Sequence, residues 1–228
     1  MPSISYYLGV RLLSDATFGS GSGIAGFVDL EIEHDELGCP FISGRTLKGL
    51  LAEECDLIRA ALGGDQWDRE ATWLFGDVGS TDTEQRTAIM QVGPAQLPAD
   101  LHNALARNVE CNELRPDQIF ASLTGVRRQT AIAEETGAAA TGSLRSMRVL
   151  LRETPLIAML TFATEPDQRT RALLAACVLG VRRGGIGRNR GRGRMLMRLH
   201  TSVPHEQIDD PQLTLEWFDQ FANVVEVS

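Results

Sequence analysis

The sequence predicts an α+β fold in which helices follow strands in the order strand, helix, strand, strand, helix, strand. Three observations carry this. Residues 4–13 and 194–201 are short runs rich in Val, Ile, Leu, Met and Tyr, close to either end of the chain. Residues 43–62 and 167–183 each repeat apolar side chains at three and four positions, the spacing of a helix face. Between those helices lie three more strand-like runs, 87–92, 146–151 and 155–162.

The first strand, 4–13, opens into the glycine-serine loop FGSGSGI at 18–24. Its place directly after a strand marks it as a functional loop. Residues 27–33, FVDLEIE, then alternate strictly, with Val28, Leu30 and Ile32 on one face and Phe27, Asp29, Glu31 and Glu33 on the other. A turn at 35–38 and a returning run, Cys39-Pro40-Phe41-Ile42, make this a predicted acidic hairpin. The first helix opens at Ser43 and stops at Gly63-Gly64, with Leu47, Leu50, Leu51, Ile58, Ala61 and Leu62 toward the core. Trp73-Leu74-Phe75-Gly76 is a packing cluster, and 98–107 a short helix.

Residues 127–145 predict a long, thin hairpin whose middle is too small and polar to build a core, so that it projects from the body. In the second long helix Asp167 is the expected cap, Leu173, Leu174, Cys177 and Val181 the expected buried face, and Arg182 and Arg183 complement the C-terminal dipole. A strand at 194–201 closes the domain. The expected organisation is one domain over 1–204, with the projecting region at about 109–146, and a tail over 205–228 whose apolar piece at 213–221 docks on the domain. The plan is the β-α-β-β-α-β ferredoxin-like one, with the projecting and acidic hairpins as insertions. It is also the topology of the RNA-recognition motif. The aromatic pair that stacks bases there is missing, since the last strand carries Met195 and Met197, so any RNA contact is expected through loops and backbone.

At 228 residues the chain can bury a sizeable core, and 43% hydrophobic with 23% charged residues is ordinary for a globular protein. No apolar run is long enough to span a bilayer, and the first residues lack the basic start and apolar centre of a signal peptide. The expected location is the cytoplasm. Cys39, Cys55, Cys111 and Cys177 are scattered without a CxxC pair, and His34, His102, His200 and His205 lack metal-ligand spacing. Free thiols and a zinc-free protein are the expectation.

The charge is distributed unevenly. The formal charge is −8, and −15 without the seven arginines of residues 182–198, RRGGIGRNRGRGRMLMR, which hold five glycines and no acid. Glycine lets a backbone approach a ligand closely, and arginine presents a planar fork that fits phosphate. An acidic chain that gathers its positive charge in one glycine-rich segment points to a surface for a phosphate backbone. Arg45 and Lys48, on the first turn of the first helix, oppose the helix dipole by ~0.3–1 kcal/mol each, which is tolerable where an anion sits between them.

Four stretches resemble the RAMP superfamily, which supplies backbone subunits of type III CRISPR–Cas effector complexes. They are GSGSGI followed by FVDLEIEHD, the helix-start motif GCPFISGRTLKGLL, the WLFGD after the first helix, and VRRQTAIAEETGAAATGSLR paired with GGIGRNRGRGR. The chain departs from the family at Ser43, where proline is usual, and the tail after Pro204 is unmatched. The resemblance implies a subunit that polymerises along a guide RNA, with other copies of itself, other effector subunits and complementary target RNA as partners. Guide contacts would come from Ser43, Arg45, Lys48, Arg127, Arg128, Gly184, Gly185, Gly187, Arg188, Arg190, Arg192 and Arg194, and the projecting hairpin would be a thumb wedged into the guide–target duplex. It also implies an RNA endonuclease whose catalytic aspartate, aligned from GCPF, is Asp29. Asp35 and His34 are candidate helpers, and a divalent metal, Mg²⁺, is held at Asp29 with substrate. Two alternatives remain at this point: a scaffold of the same kind without nuclease activity, and an unrelated ferredoxin-like binder of a phosphorylated small molecule.

Overall fold

The computed structural model describes residues 4–19, 21, 23, 28–63, 65–76, 88–130, 145–204 and 207–226. Among them are two antiparallel sheets and six α-helices. The larger sheet has β1 (Ile4–Leu12) and, in chain order, β2 (Met90–Val92), β5 (Pro155–Phe162) and β6 (Met195–His200). Its strands lie in the order β2-β5-β1-β6, so that β5 separates β1 from β2 although α1 (Gly44–Ala61) connects that pair. In register, Leu8 faces Ala158 on one side and Leu199 on the other. The second sheet is the ribbon β3 (Thr124–Gln129) and β4 (Arg145–Leu150), with Arg127 opposite Met147. The tip of the predicted projecting hairpin, 131–144, lies outside the described residues.

The core fills one face of the larger sheet. Met195, Met197 and Leu199 of β6 and Leu156, Ala158, Leu160 and Phe162 of β5 are buried, each separated by a more exposed neighbour, as period-two alternation requires. α5 (Gln168–Gly180) starts at Asp167, whose carboxylate accepts the Thr170 N–H at 2.8 Å. It is buried on nearly every side from Ala172 to Val178, rather than along the single face expected, because α1, α2 (Asp68–Phe75) and α6 (Gln212–Glu226) all pack against it. It also ends before Arg182 and Arg183, which therefore belong to the loop that follows and not to its last turn.

α6 docks through Trp217 and Phe221, with Trp217 edge-on to Tyr6 at 5.0 Å and Phe221 against Trp67 at 4.9 Å. Each such side chain contributes roughly 1.5–3 kcal/mol on burial. The segment leading into α6 crosses the opposite face of the sheet. Ile208 carbonyl oxygen meets His200 Nε2 at 3.0 Å, Asp209 pairs with Arg11 at 2.8 Å, and a Cβ on Gly9 would collide with the Ile208 carbonyl. The central strand is covered there, so this face is closed as a base-stacking platform.

Four expectations change. WLFG is the end of α2, not an isolated cluster. A helix absent from the sequence reading, α4 (Pro116–Leu123), precedes β3 and carries Pro at its start and a Gln118 side chain returning to the Arg115 N–H. α3 (Ala99–Glu110) extends the short helix expected at 98–107. The acidic segment forms no strand ladder of its own. Its turn is closed by Asp35 N–H to Cys39 O and Phe41 N–H to Glu33 O, while residues 29–30 lie along β4, with Asp29 N–H to Ser146 O and Arg148 N–H to Leu30 O. The returning run 39–42 thus pairs only with residues 33–35, across the bridge of His34 and Pro40, and its end pairs with Ala95 through Ile42.

Candidate nucleic-acid interface

The start of α1 is set by Ser43, whose hydroxyl meets Thr46 Oγ1 at 2.9 Å and the Thr46 N–H at 3.4 Å. This caps the helix in place of the proline usual at that position. Gly44 lies against the end of β2, where a Cβ would collide with the Val92 carbonyl. No acid stands in the first turn, so the helix end keeps its partial positive charge. Arg45 is exposed. Lys48 is half-buried, reaches the Met90 carbonyl at 3.1 Å, and has its pKa lowered by that burial.

The glycine-arginine loop is a fixed structure rather than a flexible link. Gly184 N–H donates to Gly193 O at 2.9 Å, Met195 N–H to Arg182 O at 3.0 Å, Gly193 N–H to Asp15 O at 3.0 Å and Ile186 N–H to Thr17 O at 2.8 Å. Gly185 (φ 82°) and Gly193 (φ 69°) both sit where a Cβ would strike backbone, of Thr17 and Gly184 respectively, so the loop itself demands them.

Its arginines divide in two. Arg188 is clamped to Glu53 of α1, and this hydrogen bond holds the Glu53 carboxyl below its ordinary value. Arg192 Nη1 turns to Met147 Sδ at 2.9 Å, and Arg127 from β3 is held by Asp15 at 2.6 Å. Arg190, Arg194 and, from β3, Arg128 are exposed, and with Arg45 they form no ion pair among the described residues.

Asp29 is exposed, and one carboxylate oxygen, Oδ2, accepts both the Ser146 N–H at 2.6 Å and its hydroxyl at 3.2 Å. The other acids do not join it. Glu31 is buried in a pair with Arg148, Nε to Oε1 at 3.1 Å, and also accepts the Ile32 N–H. Arg148 in turn lies over the Phe120 ring at 5.0 Å. Asp35 accepts the Leu37 and Cys39 N–H groups and meets His102 Nε2 at 2.7 Å. His34 binds Asp35 O through Nδ1 and packs on Phe120 at 4.6 Å. The acids of the predicted hairpin are thus dispersed, since Asp29, Glu31 and Asp35 are each held by donors of their own. Asp29 supplies a single carboxylate. That fits a Mg²⁺ ion that keeps most of its waters and takes its other ligands from a bound phosphate, but not a protein-built cage.

Thr17, absent from the sequence reading, joins these parts. It is fully buried, its carbonyl accepts from Ile186 of the arginine loop, and its hydroxyl donates to Arg148 O on β4 at 2.8 Å. Only its place between the first strand and the glycine-serine loop hinted at that.

The RAMP superfamily model matches residues 10–195. The chain belongs to the RAMP superfamily. None of the curated proteins compared matches it. Among solved structures, this RAMP chain is similar to one in the cryo-EM structure of the type III-B Cmr-beta bound to cognate target RNA, with TM-score 0.60, 12% identity, and coverage of 86% of this chain and 97% of that one. It is likewise similar to one in the apo state of type III-B Cmr-beta, with TM-score 0.60, 14% identity, and coverage of 88% and 99%. At such identities the likeness is one of fold. Ser43 and Gly44 shape the start of α1, whereas Arg45, Arg190 and Arg194 are exposed and without an ion-pair partner among the described residues.

Proposed function

We propose that this RAMP chain is a guide-RNA-binding backbone subunit of a type III CRISPR–Cas effector complex. The observation that carries the reading is the glycine-arginine loop. Its own hydrogen bonds fix it on Thr17 and β6, and it displays Arg190 and Arg194 without side-chain partners among the described residues, in a chain of net charge −8. Pre-positioned, unpaired guanidinium groups bind phosphate without first breaking an ion pair. Arg45 at the positive end of α1 adds a further contact. Arg188 and Arg127 act as braces that hold the loop and β3. The larger sheet with α1 and α5 is read as the ferredoxin-like core, and β3–β4 as the base of a thumb. The partners are guide RNA, complementary target RNA, further copies of the chain and other effector subunits. A similar chain was solved in Cmr-beta bound to cognate target RNA. Among the described residues no helix is long and apolar enough to cross a membrane.

Target cleavage is assigned to Asp29. It stands beside Ser146 near the outer end of the ribbon, aimed by two hydrogen bonds from that residue, next to a glycine-rich loop close enough that a Cβ on Gly23 would strike the Asp29 carbonyl. Attack by a ribose 2′-OH on the adjacent phosphorus would leave a 2′,3′-cyclic phosphate and a free 5′-OH. Asp29 would hold a Mg²⁺ ion brought in with substrate, which would supply charge neutralisation at the phosphate. The isolation of Asp29 from other carboxylates also suits a second reading, a scaffold that binds guide without cleaving. Co-expression with a repeat–spacer RNA, followed by sizing and RNA extraction, tests the guide-binding function. A complex larger than the subunit that carries the RNA is expected, and an RNA-free monomer would contradict it.

A further inference from the structure

One cluster, which includes the candidate helper Asp35, is not used by the proposed function. Asp35 Oδ1 accepts the Leu37 N–H at 3.0 Å and the Cys39 N–H at 2.9 Å, which fixes the carboxylate in the turn. Its other oxygen, Oδ2, faces His102 Nε2 at 2.7 Å, from the first turn of α3. The Cys39 thiol completes the group, and the three ligand atoms lie within 4.8 Å of one another. A tetrahedral zinc ion, with bonds of about 2.0–2.1 Å to N and O and about 2.3 Å to S, spaces its ligands about 3.3–3.8 Å apart. That spacing falls inside the range already present, so small side-chain rotations suffice. The Cys39 side chain is buried, while those of Asp35 and His102 are 23% and 31% exposed, so an ion enters from their side.

We propose that Asp35, Cys39 and His102 form a binding site for a zinc-class transition-metal ion, with a fourth position open to solvent. Thiolate, imidazole and carboxylate together select such an ion over Mg²⁺, which separates this site from Asp29. On binding, the Cys39 thiol proton leaves to solvent as the sulfur–metal bond forms. The His102 hydrogen moves from Nε2 to Nδ1, the Asp35–His102 hydrogen bond is replaced by two bonds to the ion, and no electron is transferred. The ion would tie the turn at 35–39 to α3. Cys39 and His102 are separated by 63 positions in the sequence, which is why spacing alone pointed to a zinc-free protein.

The test uses the full chain without RNA, stripped with chelator and titrated with Co²⁺. The expected result is saturation at about one equivalent, with tetrahedral visible bands and a near-ultraviolet thiolate-to-cobalt band, all displaced by Zn²⁺. Cys39→Ser should abolish the thiolate band, His102→Ala should abolish the tetrahedral spectrum, and Cys111→Ser, at an exposed thiol, should change neither. His102→Ala is expected to fold, by circular dichroism, whatever Cys39→Ser does. The absence of a thiolate band in the wild-type protein, or its persistence in Cys39→Ser or His102→Ala, would overturn the proposal. The guide-binding reading does not depend on this result, and neither failure entails the other.

Discussion

The Arg188 guanidinium and the Glu53 carboxylate meet end to end, Nη1 to Oε2 at 2.8 Å and Nη2 to Oε1 at 2.6 Å. The most basic segment of the chain is thereby tied to the helix whose N-terminus carries Arg45. An intramolecular carboxylate occupies this arginine as a phosphate would.

Replacing Glu53 by Ala releases Arg188. An exposed pair of this kind stabilises by about 0.2–1 kcal/mol, so the fold should persist. RNA binding should tighten, and the slope of log Kobs against log[salt] should steepen by ~0.7 for the one added phosphate contact. An unchanged slope would show that Arg188 already contacts phosphate in the wild-type complex. The pair also has a pH signature. Because Glu53 is held below its ordinary value, the stability it contributes is full above the unfolded carboxylate range, near pH ~4.3, and is lost as pH falls through the lower folded value. Nuclear magnetic resonance titration of the Glu53 carboxyl, with Arg188→Ala as reference, measures this. Equal pKa values in the two proteins would remove the pair from the account.

Arg148→Met leaves Glu31 buried without its counter-charge. Both side chains are nearly closed to water, at 13% and 11% exposure, and breaking such a pair costs about 3–5 kcal/mol. For a chain of this size the Tm should fall by roughly 6–20 °C in calorimetry. A shift under about 2 °C would mean that water reaches Glu31.

Ser146→Ala removes the hydroxyl bond to Asp29 but keeps the backbone N–H. In an assembled complex with matching target RNA, cleavage should fall several-fold, by about 1 kcal/mol in the barrier, with target affinity unchanged. Asp29→Ala should abolish cleavage, and so should chelation of divalent metal. Undiminished cleavage by Asp29→Ala would favour the scaffold reading.

Much of the architecture was legible because its signals are local. β1, β5 and β6 announce themselves by short apolar runs, and α1 by a capping serine followed by leucines at helical spacing. What failed was tertiary. Nothing along residues 27–33 reveals that Asp29 and Leu30 pair with β4, more than a hundred positions later, rather than with the next few residues. α4 lies just before the hairpin read at 127–145, in a stretch for which the sequence reading gave no element, and its eight residues are too few to show a helical repeat. At the interface, residue type located the arginine loop, but only side-chain partners distinguish Arg188, held by Glu53, from Arg190 and Arg194, which are free among the described residues. Likewise residues 27–33 read as one acidic face, while Arg148 and His102, distant in sequence, hold Glu31 and Asp35 in separate contacts.

The most direct test of the RNA-binding account is a salt titration of guide RNA binding by the wild-type chain and by Arg45→Ala/Arg190→Ala/Arg194→Ala. Three lost phosphate contacts should flatten the slope of log Kobs against log[salt] by ~2 and weaken binding most at low salt, while the thermal melt stays where it was. An unchanged affinity and slope in a folded triple variant would contradict the account.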